Sequence, residues 1–547
     1  MELQFNGLTV PCERGATLFD CADRLGIQVP TSCRRQGRCK ECIVEVAEGG
    51  DLLSAPGPDE AHLAGRFRLS CQARIEAETG ALRCHTLRRG EMRIETQAFR
   101  LPTGRPPSLD PAVTREGDRI LLDGEEIDRG THPPFGLAVD LGTTTVVLRL
   151  LNLETGEQVA DASFENPQRF AGSDVMARID YDGRDRGRVL QRTLAGYLSH
   201  AIEALPVDPR RIYEVVIAGN STMRDIFFRL SVHSIGQSPY QSLTELELAA
   251  GARASTSLSE SASRLGLPVH PRARAYGLPI VSGHVGADAA ACMLAVDIGR
   301  EPEVVAVMDI GTNTELIVGN RDRLIAASCP AGPAFEGGQI TFGMPGLPGA
   351  IERVRLGEDG AVQAEVIGGG APEGICGSGL IDLLSELRRT GRMNALGRFE
   401  EGPGDLVLAR AGERAITFGE GDVNALAQAK GANVAGLRIA FESYGLAAGG
   451  LRRFYLAGGF GRHLNLAAAK RIGLIPDLDE DRIVQIGNAS LEGACIALLS
   501  RSRRQELEEW VRRTEHCRLE THPRFFDYFV EGCQFNPVED GARAGSA

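Results

Sequence analysis

No stretch of the sequence reaches the roughly 18 consecutive apolar residues of a membrane-spanning helix. Its opening, MELQFNGLTV, lacks the basic start and apolar core of a secretion signal. Basic residues are in deficit: 60 Lys and Arg stand against 73 Asp and Glu, a formal net charge of −13. That balance gives no basic face to neutralise phosphates, so nucleic acid is not the expected partner. No basic amphipathic stretch points to a membrane surface either. These absences together predict a cytoplasmic protein. In that compartment the 13 cysteines do not read as a disulfide framework, and metal ligation or buried apolar thiols are the better readings.

What is present is a globular composition, 43% hydrophobic and 24% charged. The 547 residues exceed one ordinary core and suggest about three to four domains. The 66 glycines cluster in a few loops, and those loops carry most of the chemistry.

Residues 1–95 read as a small β-grasp domain. Leu3, Phe5, Leu8 and Val10 alternate around an Asn6-Gly7 turn, a hairpin signal. ATLFDCADRLG then has helical spacing, with Thr17 placed to cap and Gly26 to stop it. The polar loop TSCRRQGRCKEC follows, then strands in CIVEVAEG and RLSCQARI. The spacing Cys33-x5-Cys39-x2-Cys42-x28-Cys71 offers four thiolates to a [2Fe–2S] cluster, with loop N–H groups aimed at the sulfurs. Structural zinc is the rival; its ribbons usually use two CxxC knuckles, and here there is one. Arg34, Arg35, Arg38 and Lys40 make the loop basic, either as a solvated rim or as a docking patch for an acidic partner. Cys21 sits on an apolar helix face and reads as core.

Residues 96–132, rich in proline and poor in periodicity, read as a linker, which makes the first domain a tethered donor. After it the chain repeats. GLAVDLGTTTVVLRLLNLETGEQVA and VVAVMDIGTNTELIVGNRDRLIAA each hold an apolar strand ending in Asp, a Gly-Thr turn and two further strands. Glycine there lets the backbone approach a phosphate, Thr hydroxyls and N–H groups donate to it, and Asp can hold Mg²⁺ or a water.

The duplicated motif resembles the actin, sugar-kinase and Hsp70 ATPase superfamily, in which two RNase-H-like (ASKHA) lobes clamp a nucleotide. The resemblance implies an α/β and α+β multidomain fold, with lobes at 133–300 and 301–547. It implies a first phosphate loop at Asp140, Gly142, Thr143, Thr144 and Thr145. It places a second at Asp309, Gly311, Thr312, Asn313 and Thr314, with Asp140 and Asp309 as the catalytic pair. An adenosine loop would lie at Gly458, Gly459 and Gly461. SGHVGADAAA and GNASLEGACIALL look like the small-residue helices that cross at the hinge. AGNSTM, CPAGPAFEGG and GICGSGLIDLL either line the cleft or make turns and close packing.

The order of ferredoxin, linker and duplicated ATPase resembles the RACo-like reductive activators of corrinoid proteins over nearly the whole chain. The resemblance implies an ATP- and Mg²⁺-dependent electron transfer from the cluster to a Co(II) corrinoid protein, regenerating Co(I) for methyl transfer. A low-potential reductant or reductase would be the donor, and a homodimer is among the states allowed. Two other readings stand beside it: an ATP-driven donor to another low-potential metalloenzyme, and a redox-sensing Hsp70-like binding module.

Overall fold

The computed structural model describes residues 1–87, 109–185, 187–400, 402, 404–412, 414–458 and 464–538. Its first unit is a mixed five-stranded sheet with β1 (Glu2–Phe5), β2 (Leu8–Pro11), β3 (Ile43–Glu48), β4 (Phe67–Leu69) and β5 (Ala81–Thr86) in the order β2-β1-β5-β3-β4. The β1–β2 hairpin turns at Asn6 and Gly7, both with positive φ, the backbone a two-residue turn of this kind demands. Helix α1 (Leu18–Arg24) is closed at its start by a capping box, in which Thr17 and Asp20 satisfy each other's backbone N–H. It buries Leu18, Phe19, Cys21 and Ala22 against the sheet. RLSCQARI is less extended than its sequence suggests: β4 ends at Leu69, and Cys71 lies in the turn beyond it. That turn swings the distant cysteine back to the loop.

The linker expectation needs correction at its end. Residues 88–108, which hold most of the prolines, lie outside the described residues, but β6 (Val113–Glu116), β7 (Arg119–Leu122) and β8 (Glu125–Arg129) form an antiparallel meander. Its strands are short and charged, so their apolar residues are few. Val113, Ile120 and Ile127 are buried all the same, in one core with strands of the ATPase. The Asp110 backbone pairs with Leu499 and Arg501, which ties the meander's start to the far end of the chain.

The two motif copies become two sheets of one design. In the first, Phe135–Leu141, Thr145–Asn152 and Gln158–Glu165 run antiparallel, and Ile212–Gly219 then Arg274–Gly277 add parallel to Phe135–Leu141 on its other side. In the second, Val305–Asp309, Thr314–Gly319 and Leu324–Cys329 repeat the antiparallel trio, and Arg453–Ala457 then Ile483–Gly487 repeat the parallel pair. Each Asp-x-Gly-Thr turn sits between the first two strands of its trio. The fold is thus a β-grasp unit joined to a duplicated, two-lobed architecture of the ASKHA kind that the sequence resembles.

Between the lobes cross the helices Ala287–Ala295 and Ala489–Leu499. They meet backbone to backbone: a Cβ on Gly493 would stand 2.0 Å from the Ala291 carbonyl oxygen. Only glycine permits that approach.

The ferredoxin unit is docked on the first lobe, which a tether alone did not lead one to expect. Its core is continuous with that lobe's core from Leu3 to Ala275. Glu45, 0% exposed, pairs with Arg66 of its own unit and Arg169 of the lobe. The Tyr197 hydroxyl accepts from the Leu87 N–H at 3.1 Å, closing the interface at the end of β5.

Candidate iron–sulfur and nucleotide sites

The four cysteines come together in two pairs. Cys42 and Cys71 are 3.3 Å apart, sulfur to sulfur, and the Cys42 S–H holds the Cys71 thiol well below its usual range. Cys33 and Cys39 face each other, and Cys33 accepts from the Gln36 N–H at 3.3 Å. Two pairs of thiolates match a centre with two irons, each taking two sulfurs. Arg34, Arg35, Gly37 and Lys40 all have positive φ. N–H groups of this loop reach the ligand sulfurs, those of Gln36, Arg38 and Cys39 at Cys33 and that of Gly37 at Cys71, a setting suited to a negative cluster. Gln72 Nε2 adds a donor 3.3 Å from the Cys71 sulfur. One of the loop's cations is occupied internally: Arg35 pairs with Asp20 and Asp23 and lies over the Phe19 ring.

The second site is a cavity of about 290 Å³ between the lobes. Asp140, Gly142, Thr143, Thr144, Thr145, Asp309, Gly311, Thr312, Asn313 and Gly458 all line it. Thr314 does not. It begins a strand, fully buried, with its hydroxyl unpaired. Gly459 and Gly461 lie outside the described residues. Gly142 is required where it is, since a Cβ there would stand 2.5 Å from the Thr145 carbonyl oxygen.

The two loops touch across the cleft. The hydroxyls of Thr144 and Thr312 are 3.0 Å apart, and both donate to Glu336 Oε2, the first at 2.9 Å. Asp140 accepts from Asn488 Nδ2 at 3.0 Å and Ser490 Oγ at 2.8 Å. The Cys292 thiol donates to Asp309 at 3.3 Å. Asp288 and Glu315 complete the acidic lining. Burial, then the charge of Asp140, lifts the Asp309 carboxyl to about 7. Burial likewise pushes Asp140, Asp288, Glu315 and Glu336 above the usual carboxylate range. Glu315 is buried and the other four acids are half-buried around one cavity, a concentration of negative charge that favours protonation of its members. A buried cation does stand behind the wall: Arg178 donates to the Thr143 carbonyl at 2.7 Å and faces Glu336.

Sequence reasoning placed Asp140 and Asp309 but not Asp288, Glu315, Glu336, Asn488 or Ser490. Glu336 sits in CPAGPAFEGG, singled out for its glycines, and Asp288 in SGHVGADAAA, singled out as a small-residue hinge helix. Their acids were the unused signal.

A short segment joins this cavity to the ferredoxin unit. Asn166 receives the first phosphate loop at both ends, its N–H donating to Thr144 O at 2.7 Å and its amide to Gly142 O at 2.8 Å. Gln168 then donates to Leu190 O at 3.1 Å, and Arg169 reaches Glu45.

Comparison with known proteins accords with this geometry. A model of the 2Fe-2S iron-sulfur cluster binding domain matches residues 2–76. The RACo middle region matches 135–301, and the C-terminal domain of RACo, the ASKHA domain, matches 303–542. The chain is RACo-like. It carries a [2Fe–2S] domain and an ATP-binding ASKHA domain. It is 28% identical to the corrinoid activation enzyme RamQ of Eubacterium limosum, over 94% of this chain and 95% of that one. It is 26% identical to the [Co(II) methylated amine-specific corrinoid protein] reductase of Methanosarcina barkeri, over 72% and 76% of the two chains. Among solved structures, a reductive activator for corrinoid, iron-sulfur protein superposes with a TM-score of 0.72 at 27% identity, covering 98% of this chain and 99% of that one. Among the described residues, no helix is long and apolar enough to cross a membrane.

Proposed function

We propose that this chain is an ATP-dependent reductive activator, passing one electron from its [2Fe–2S] cluster to the Co(II) corrinoid of a methyltransferase system and returning it to Co(I). Cys33 and Cys39 would hold one iron and Cys42 and Cys71 the other. The cluster, when bound, supplies a one-electron carrier. Asp140 and Asp309 would flank Mg²⁺ on the nucleotide's phosphates, while Thr144 and Thr312 donate to the terminal phosphate. Glu336, which both hydroxyls reach, is placed to take a proton from the attacking water. Gly458, with Gly459 and Gly461, would receive the adenosine. In domain terms the ferredoxin unit occupies 1–95, and the lobes divide near 300 with the meander attached to the first.

The observation that carries the reading is the segment Asn166–Arg169, gripping a phosphate loop at one end and the ferredoxin unit at the other. Plant-type clusters lie near about −400 mV, and the Co(II)/Co(I) step is lower. An uphill gap of about 100–200 mV is roughly 2–5 kcal/mol for one electron, at about 59 mV per tenfold. A nucleotide meets that gap only by favouring one state of the complex over another, which a two-lobed clamp linked to the donor can do. The relatives' corrinoid activities favour this acceptor over another metalloenzyme or a sensing role. The test is anaerobic: growth of the Co(I) absorption band in a cognate corrinoid protein, with a cytoplasmic-type low-potential reductant. It should require the cluster and Mg-ATP together, and a band growing equally fast without ATP refutes the coupling.

A further inference from the structure

The ATPase reaches the cluster loop itself. Arg192, on the first-lobe helix Val189–Glu203, donates through Nη2 to the carbonyl of Cys39. Its Nε lies 3.8 Å from Glu41 Oε1. Glu41 in turn accepts from Ser32 Oγ at 2.8 Å. The contact therefore touches the ligand Cys39 directly, and through Glu41 and Ser32 the neighbours of Cys42 and Cys33.

We propose that Arg192 is a positioning residue of the electron-transfer centre, supplied by the ATPase lobe, which fixes the Cys39 backbone and raises the cluster's reduction potential while the two units are in contact. The inference rests on the reading of the four cysteines as cluster ligands. Reduction adds negative charge to the centre, so a cation beside it favours the reduced form, and a neighbouring carboxylate opposes it. Arg34, Arg38 and Lys40 belong to the loop and travel with the cluster wherever it goes. Arg169 and Arg66 are engaged by Glu45. Arg192 is different: it belongs to the other unit, so its influence exists only while the units are docked. Donation strengthens when that contact opens, because the centre then loses a cation and keeps Glu41.

The measurement is a spectroelectrochemical titration of the visible cluster band in the full-length chain under anaerobic conditions. Arg192→Gln should lower the equilibrium constant for reducing the cluster about tenfold, a shift of about −59 mV for one electron. Arg192→Lys, which keeps the charge and loses the fork, should fall between that variant and the parent. Glu41→Gln should move the potential upward. An unchanged potential in Arg192→Gln with an intact cluster spectrum overturns the proposal, because packing alone would give that result. So does a downward shift in Glu41→Gln, which also decides the question if Arg192→Gln fails to retain its cluster. A parent chain that carries no iron and no acid-labile sulfide refutes the ligand reading instead, and the proposal with it.

Discussion

Binding of a Mg-nucleotide should release protons, and the count follows from the cavity. Without a metal, burial holds Asp309 at about 7, and Asp288, Glu315, Asp140 and Glu336 are raised by the same cause. A divalent cation stabilises the ionised forms and pulls these values down. The sign is fixed: below about pH 7 the cation displaces protons, so affinity rises with pH, and it levels off once the acids are already ionised. At pH 7 Asp309 and Asp288, both held at about 7, give up about half a proton each. Each proton released steepens the dissociation constant by about tenfold per pH unit. Calorimetry with Mg-ADP at pH 6.5, 7.5 and 8.5, in buffers of differing ionisation enthalpy, reads the count directly. Asp288→Asn should lower it. The same groups make the metal-free chain lose stability as pH rises from the unfolded carboxylate range near about 4 towards 7, because the fold favours their protonated forms. A proton count of zero across the range, with a flat affinity, would refute the reasoning.

Three further outcomes are expected. Cys39→Ser should abolish the visible charge-transfer bands and leave nucleotide affinity unchanged, as read by absorbance and calorimetry on one sample. Glu336→Gln should retain Mg-ATP binding and lower partner-stimulated hydrolysis by about 10²-fold or more, the usual scale for losing a general base; hydrolysis at the parent rate would remove Glu336 from the mechanism. Gly493→Val should destabilise the ATPase by about 1–3 kcal/mol or more through overpacking against the Ala291 carbonyl, seen as a lower thermal midpoint.

Local chemistry was legible in the sequence and remote pairing was not. The Asn6-Gly7 turn, the Thr17 cap and the two Asp-x-Gly-Thr strand turns are each specified within a few residues, and the structure forms all of them. The meander at 113–129 had a hairpin signal in Asp123-Gly124, both with positive φ, but the charges around it outweighed its few apolar residues. Asn488 and Ser490 meet Asp140 from the far end of the chain, and nothing near them in sequence announces a partner. Nothing in the sequence marks Arg169 and Arg192, because an arginine's partner is invisible until the fold supplies one. The docking of the ferredoxin unit was hidden for the same reason.

The crossing helices have a consequence for where the molecule can be cut. The helix that closes the first half of the sequence sends Cys292 to Asp309 of the second half. The crossing helix of the second half, Ala489–Leu499, sends Asn488 at its cap and Ser490 back to Asp140 of the first. Each acid is thus held by the opposite half, like crossed arms, and a chain severed near residue 300 would leave both acids without the neighbours that orient them. The two halves, alike as they are in topology, are not two exchangeable modules. A swap of one half for that of a relative would have to carry the other half's crossing helix with it.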